Sequence, residues 1–137
     1  MKRLILAAGL FAATLTASLH AQTMNMQASI PFDFQIGSTV LPSGEYSIRH
    51  SGGVLFVAQT GGAHKSGMFL TVGEDRPVGS SASGTLLFNR YGSTYYLSKV
   101  WPAGSKEAQA TPKTAREKEL ASHIGQPGTT TVALRTQ

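Results

Sequence analysis

Between residues 28 and 37 the chain reads Ala-Ser-Ile-Pro-Phe-Asp-Phe-Gln-Ile-Gly. Ile30, Phe32, Phe34 and Ile36 fall on one side of an extended chain, and Ser29, Pro31, Asp33 and Gln35 on the other. Such a period of two predicts a half-buried β-strand. Pro31 has no N–H to give to a ladder, so it belongs near a strand end or on a sheet edge. Residues 22–27 are polar and read as a frayed lead-in.

Short strands and turns continue the pattern. Leu41-Pro42-Ser43-Gly44 is a turn, and Tyr46 and Ile48 then share a face. After Ser51-Gly52-Gly53, residues 54–59 form an apolar run bounded by glycines, which reads as a buried strand. In 66–72, Met68, Leu70 and Val72 oppose Phe69 and Thr71, and 73–84 reads as a long polar loop.

Residues 85–91 and 94–101 flank Gly92-Ser93. Glycine in the first central position suits a type II′ turn, whose twist matches a hairpin. The register then pairs Arg90 with Tyr95, Phe88 with Leu97, Leu86 with Lys99, and Trp101 with Gly84, with Arg90 set for a cation–π contact over Tyr95. The opposite face carries Leu87, Asn89 and Tyr91 against Val100, Ser98, Tyr96 and Thr94. Neither face is purely polar, so the hairpin is expected to be central, with one face on a second sheet and the other covered by something else.

A candidate cover follows. Thr111-Pro112 offers an N-cap with proline at the first helical position, and Thr114 with Glu117 offers a capping box one turn later. Gly125 and Pro127 end the pattern, which predicts a surface helix over about 112–124 that packs through Ala115, Leu120, Ala121 and Ile124. Residues 129–135 are β-branched and read as a last edge strand or a tail. The tally is about seven strands with turn signals every ~8–12 residues, which predicts an all-β fold: an antiparallel β-sandwich or small barrel with one short C-terminal helix.

The amino terminus changes the picture. Lys2 and Arg3 precede an apolar stretch from Leu4 to Leu19, followed by His20-Ala21-Gln22. That order is a signal-peptide pattern, and the run is short of the ~20 residues that span a bilayer. The expected organisation is a leader over 1–21 and one β-sandwich-like domain over 22–137, periplasmic or secreted, with no membrane span once the leader is gone. Of the 137 residues, twelve are basic and seven acidic. Loss of Lys2 and Arg3 leaves ten against seven, scattered along the chain, which argues against a nucleic-acid partner. The absence of cysteine excludes disulfides, cysteine-ligated zinc and a lipid-bearing cysteine at the cleavage point.

The motifs of catalysis are incomplete. Residues 79–84 carry Ser83 where a nucleophile elbow needs glycine, and His64 stands where a phosphate loop needs glycine before Lys65. His50, His64 and His123 lack ligand spacing, so no metal or cofactor is expected; His50 and His64 meet only if their strand ends are neighbours. Asp33 should face solvent, and Glu74-Asp75 lies in the predicted loop. The aromatic hairpin is the remaining candidate: Tyr91, Tyr95, Tyr96 and Trp101, with Arg90, offer a ligand platform or, alternatively, the core and rim of a sandwich.

The order Pro-Phe-Asp-Phe (31–34), Leu-Pro-x-Gly-x-Tyr (41–46), Phe-x-Arg-Tyr-Gly (88–92) and Leu-Ser-x-Val-Trp (97–101), then a basic-acidic helix, resembles a group of small exported proteins from soil bacteria of the acidobacterial type. The resemblance spans most of residues 30–121. It implies a β-rich single domain and brings no activity or site residues with it. The expected role is a non-catalytic exported β-domain, binding or structural, whose partner is an envelope glycan or another exported protein. The alternative is a small periplasmic hydrolase or ligand carrier with a pocket at one end of the sandwich.

Overall fold

The computed structural model describes residues 24–62, 64–75 and 83–136, so the expected leader and the middle of the expected 73–84 loop lie outside the described residues. The fold is an all-β sandwich of two sheets with one short helix, and neither sheet closes into a barrel. The strands are β1 (Met24–Ile30), β2 (Phe34–Ile36), β3 (Thr39–Leu41), β4 (Gly44–Ser51), β5 (Val54–Gln59), β6 (Ser66–Leu70), β7 (Val72–Asp75), β8 (Thr85–Tyr91), β9 (Thr94–Trp101), β10 (Glu107–Ala110), β11 (Gly128–Ala133) and β12 (Arg135–Thr136); the helix α1 is Ala115–Ile124. One sheet runs β12-β1-β4-β5-β6. The other runs β11-β8-β9-β10-β7, with β2 lying parallel on β9 and carrying β3.

These strand segments outnumber the seven expected because single stretches of chain bend from one sheet into the other. The run 28–37 is two strands rather than one. Pro31 ends β1 in the first sheet, and β2 resumes in the second at Phe34. From Met24 onward the lead-in is likewise not frayed: Met24 to Ile30 pair residue by residue with His50 to Gly44, and Met26 is 2% exposed.

Both lateral edges are made the same way. On one side β6 and β7 belong to different sheets and are joined through Thr71, whose N–H donates to the Gly53 carbonyl (2.9 Å). On the other side β11 and β12 are joined through buried Leu134, whose N–H donates to the Gly84 carbonyl (2.9 Å). A Cβ on Gly84 would stand 2.9 Å from the Leu134 Cβ, so glycine there permits the close approach. The chain between Gly128 and Thr136 is therefore strand rather than tail.

The core lies between the sheets. Phe34 meets Tyr46 of the first sheet edge-on at 5.2 Å and Phe88 of the second at 5.5 Å, which ties the layers through one ring. Tyr46 is fully buried, and its hydroxyl donates to the Pro42 carbonyl, which fixes the turn before its own strand. Phe32 stacks on Tyr95 at 3.9 Å and meets Phe88 edge-on at 5.0 Å, closing one end of this layer.

The central hairpin has the expected turn: Gly92 sits at φ 62°, and Arg90 pairs with Tyr95 and Phe88 with Leu97. Beyond that the register differs from the expectation. A bulge between Leu87 and Phe88 leaves Ser98 unpaired, so Leu86 faces Val100, Leu87 faces Lys99, and Thr85 rather than Gly84 faces Trp101. The cause is chemical. Strict alternation from Leu97 would send Lys99 into the core beside Leu86, whereas the extra residue sends Val100 there, fully buried.

Candidate binding groove

The outer face of the hairpin is covered by α1, and what holds the cover is a carboxylate. Thr114 is the N-cap: its side chain accepts from the Glu117 N–H (3.2 Å), so the second of the two expected caps is the one used. Glu117, one turn in, turns inward and is 4% exposed. Its Oε1 accepts from Asn89 Nδ2 at 3.3 Å and from the Tyr91 hydroxyl at 3.2 Å, both on β8. The expected apolar stripe does not seat the helix, since Ile124 is 51% exposed and Leu120 and Ala121 are only half-buried.

Thr111, the other expected cap, has a different task. Along one side of β9 lie β2 and β10, which pair with Tyr95–Tyr96 and with Lys99–Val100 respectively. Between them the Thr111 N–H donates to the Ser98 carbonyl (2.9 Å) and its hydroxyl to the Leu97 carbonyl. Thr111 thus satisfies backbone oxygens that neither short strand reaches.

The bulge, the helix approach and the edge strand β7 together frame a groove of about 470 Å³. Asn89, Ser98 and Lys99 line it from the hairpin, Val72, Glu74 and Ala110 from β7 and β10, Pro112 and Lys113 from the segment leading into α1, and Glu117 from the first turn of α1. Lys99 Nζ stands 2.6 Å from Glu74 Oε2 in a half-exposed ion pair. Burial, with the adjacent Glu117 carboxylate adding to it, raises the Tyr91 phenol above its ordinary range.

The five residues singled out from the sequence do not assemble into one platform. Tyr91 and Tyr96 meet edge-on at 5.8 Å, but both lie beneath the helix side at 2% exposure. Tyr95 points to the opposite face and stacks on Phe32. Arg90 is exposed beside Gly128 of β11, and half-buried Trp101 stands at the far end of β9. Residues 73–75, expected in a loop, form β7 against β10, and this is what brings Glu74 to the groove. In the sequence Glu117 is visible only as the capping-box partner of Thr114. The one sequence signal for the groove was Lys99, a cation where simple alternation demanded an apolar residue.

Other candidates resolve individually. Asp33 is exposed and accepts from the Ser43 N–H (2.8 Å). His64 is exposed in a turn at φ 51°. His50 is half-buried, with Nε2 3.2 Å from the Thr71 hydroxyl, which also lies 3.1 Å from Gln109 Oε1 and so bridges the two sheets at their polar edge. Burial lowers the His50 pKa, partly opposed by Glu107. Among the described residues, no group of three or more His, Asp and Glu side chains is placed to hold a metal ion, and no helix is long and apolar enough to cross a membrane.

No protein-family model matches the chain, and no curated protein or solved structure is found to be similar to it.

The folded state favours the neutral Tyr91 phenol, so its contribution is intact below the ordinary tyrosine value of about 10 and is lost as pH rises through the raised value. Urea midpoints measured from pH 8 upward should fall more steeply for the native chain than for Tyr91→Phe. Parallel alkaline profiles would contradict this burial of the phenol against Glu117.

Proposed function

We propose that the protein is an exported, non-catalytic binding domain and that the groove over the outer face of the second sheet is its ligand site. The observation that supports this is the buried Glu117 carboxylate, held in place by Asn89 and Tyr91 while lining an open groove that also presents Lys99, Glu74 and Ser98. A groove of about 470 Å³ falls within the ~300–1,000 Å³ typical of small-molecule sites. Three of the four ionisable side chains that line it are engaged: Glu117 Oε1 accepts two hydrogen bonds, and Lys99 is paired with Glu74. Groups tied in this way are suited to orienting a ligand rather than to exchanging protons with one.

Export is supported by the basic-then-apolar start of the chain and by its resemblance to exported proteins of acidobacterial type. The periplasm or the medium is the proposed location, and an envelope glycan or another exported protein the proposed source of the ligand. Terminal sequencing of protein recovered from either compartment should begin close to Gln22. An intact Met1 terminus there would contradict cleavage.

Binding is tested by thermal unfolding of the leaderless chain with a panel of sugars, amino acids, nucleosides and inorganic phosphate. A ligand at a hundred times its Kd stabilises the folded state by about 2.7 kcal/mol. At least one solute should stabilise the native chain and leave Ala110→Trp, which fills the groove, unaffected. Equal stabilisation of both proteins, or none of either, would contradict the assignment.

A further inference from the structure

We infer that the groove takes a neutral polyhydroxylated ligand, the chemistry of a sugar ring, rather than an ion. This rests on the reading of the groove as the binding site. The first argument is charge. Two cations, Lys99 and Lys113, and two carboxylates, Glu74 and Glu117, line the groove. Lys99 is already paired with Glu74 at 2.6 Å, and one oxygen of Glu117, Oε1, accepts from the Asn89 amide and the Tyr91 hydroxyl. An anion approaching Lys99 meets Glu74 at once, a cation approaching Glu74 meets Lys99, and the exposed Lys113 shares the groove with the Glu117 carboxylate, so the charges of the lining cancel in net. A charged ligand therefore gains little direct attraction while losing its own hydration.

The second argument is the alternation of donors and acceptors. The Lys99 ammonium donates, the Glu74 carboxylate beside it accepts, and the Ser98 hydroxyl next to Lys99 in the chain does both. A sugar hydroxyl also both donates and accepts. Neighbouring hydroxyls on a ring can thus bridge an ammonium and a carboxylate without breaking the ion pair, through charge-assisted hydrogen bonds.

The third argument is the apolar lining. Val72, Ala110 and Pro112 give the groove an aliphatic wall, and Val72 is 60% exposed. The C–H face of a sugar ring fits such a wall, whereas phosphate has no apolar surface to set against it. Tyr91 and Tyr96, the rings that would otherwise stack on a sugar, are sealed beneath the helix side and are not part of the contact.

The test is an amide chemical-shift titration of the leaderless, isotope-labelled chain with neutral mono- and disaccharides, glutamate, lysine and inorganic phosphate at millimolar concentration. The inference expects a neutral saccharide to shift the amides of Ser98, Lys99, Thr111 and Lys113. It further expects Lys99→Met to weaken that binding by about tenfold or more with the melting temperature retained, because a charge-assisted hydrogen bond is lost. Lys113→Met, at an exposed position, should also weaken it and serves as the deciding variant if Lys99→Met unfolds. Groove shifts produced by phosphate, glutamate or lysine, with none from any saccharide, would overturn the ligand class and leave the groove reading standing. Saccharide shifts confined to other parts of the molecule, or saccharide binding unchanged in the variants, would likewise overturn the class. No groove shift from any solute would overturn both.

Discussion

A carboxylate placed out of water costs several kcal/mol unless donors replace its hydration. In this chain that constraint is met at Glu117, where an amide from Asn89 and a phenol from Tyr91 converge on one oxygen. Both donors come from β8, two residues apart, so they share the outer face of the central hairpin. The helix, with little apolar surface of its own to bury, is thereby fixed to a definite place on the sheet. Tyr96 is covered as a consequence, and the approach to the helix becomes one side of a groove whose other lining is set by the β9 bulge and by β7.

The two sheets meet along seams of opposite chemistry. At the Leu134 seam the crossing residue is apolar and close-packed against Gly84. At the Thr71 seam the crossing residue is polar and joins His50 to Gln109. The groove lies on the Thr71 side, next to β7. The adjoining β6 strand there exposes Met68 and Leu70 at 71% and 74%. The apolar seam closes the sandwich, and the polar seam leaves open the surface on which the proposed site depends.

Much of the scaffold was legible in the residues because period-two alternation and glycine turns are local signals. Tyr46 and Ile48 on a shared buried face, the Gly92 turn and the Gly125 helix stop all follow from side chains near in sequence. The features that build the groove are not local. β10 is Glu-Ala-Gln-Ala, which has no β-branched or aromatic residue, and it is a strand because β9 and β7 offer their edges to it. Glu74 sits in a polar stretch that becomes strand only against β10. Glu117 reads as a surface charge until Asn89 and Tyr91, more than twenty residues away, are placed beneath it. The aromatic crowding at 91–101 was visible, but the bulge and the helix, which divide those rings between two faces, arise from tertiary contacts.

The central claim is that Glu117 and the β8 polar pair form one coupled unit rather than separate contributions. It is tested most directly by a double-mutant cycle of Asn89→Ala and Glu117→Ala, read from denaturant midpoints at neutral pH. Residues that share a hydrogen-bond network show coupling energies of about 0.5–3 kcal/mol, whereas independent sites add within about 0.3–0.5 kcal/mol. The account predicts coupling of at least about 1 kcal/mol within that range, with the double variant less destabilised than the two single losses taken together. Simple additivity would mean that the helix rests on the sheet without the carboxylate, and would contradict it.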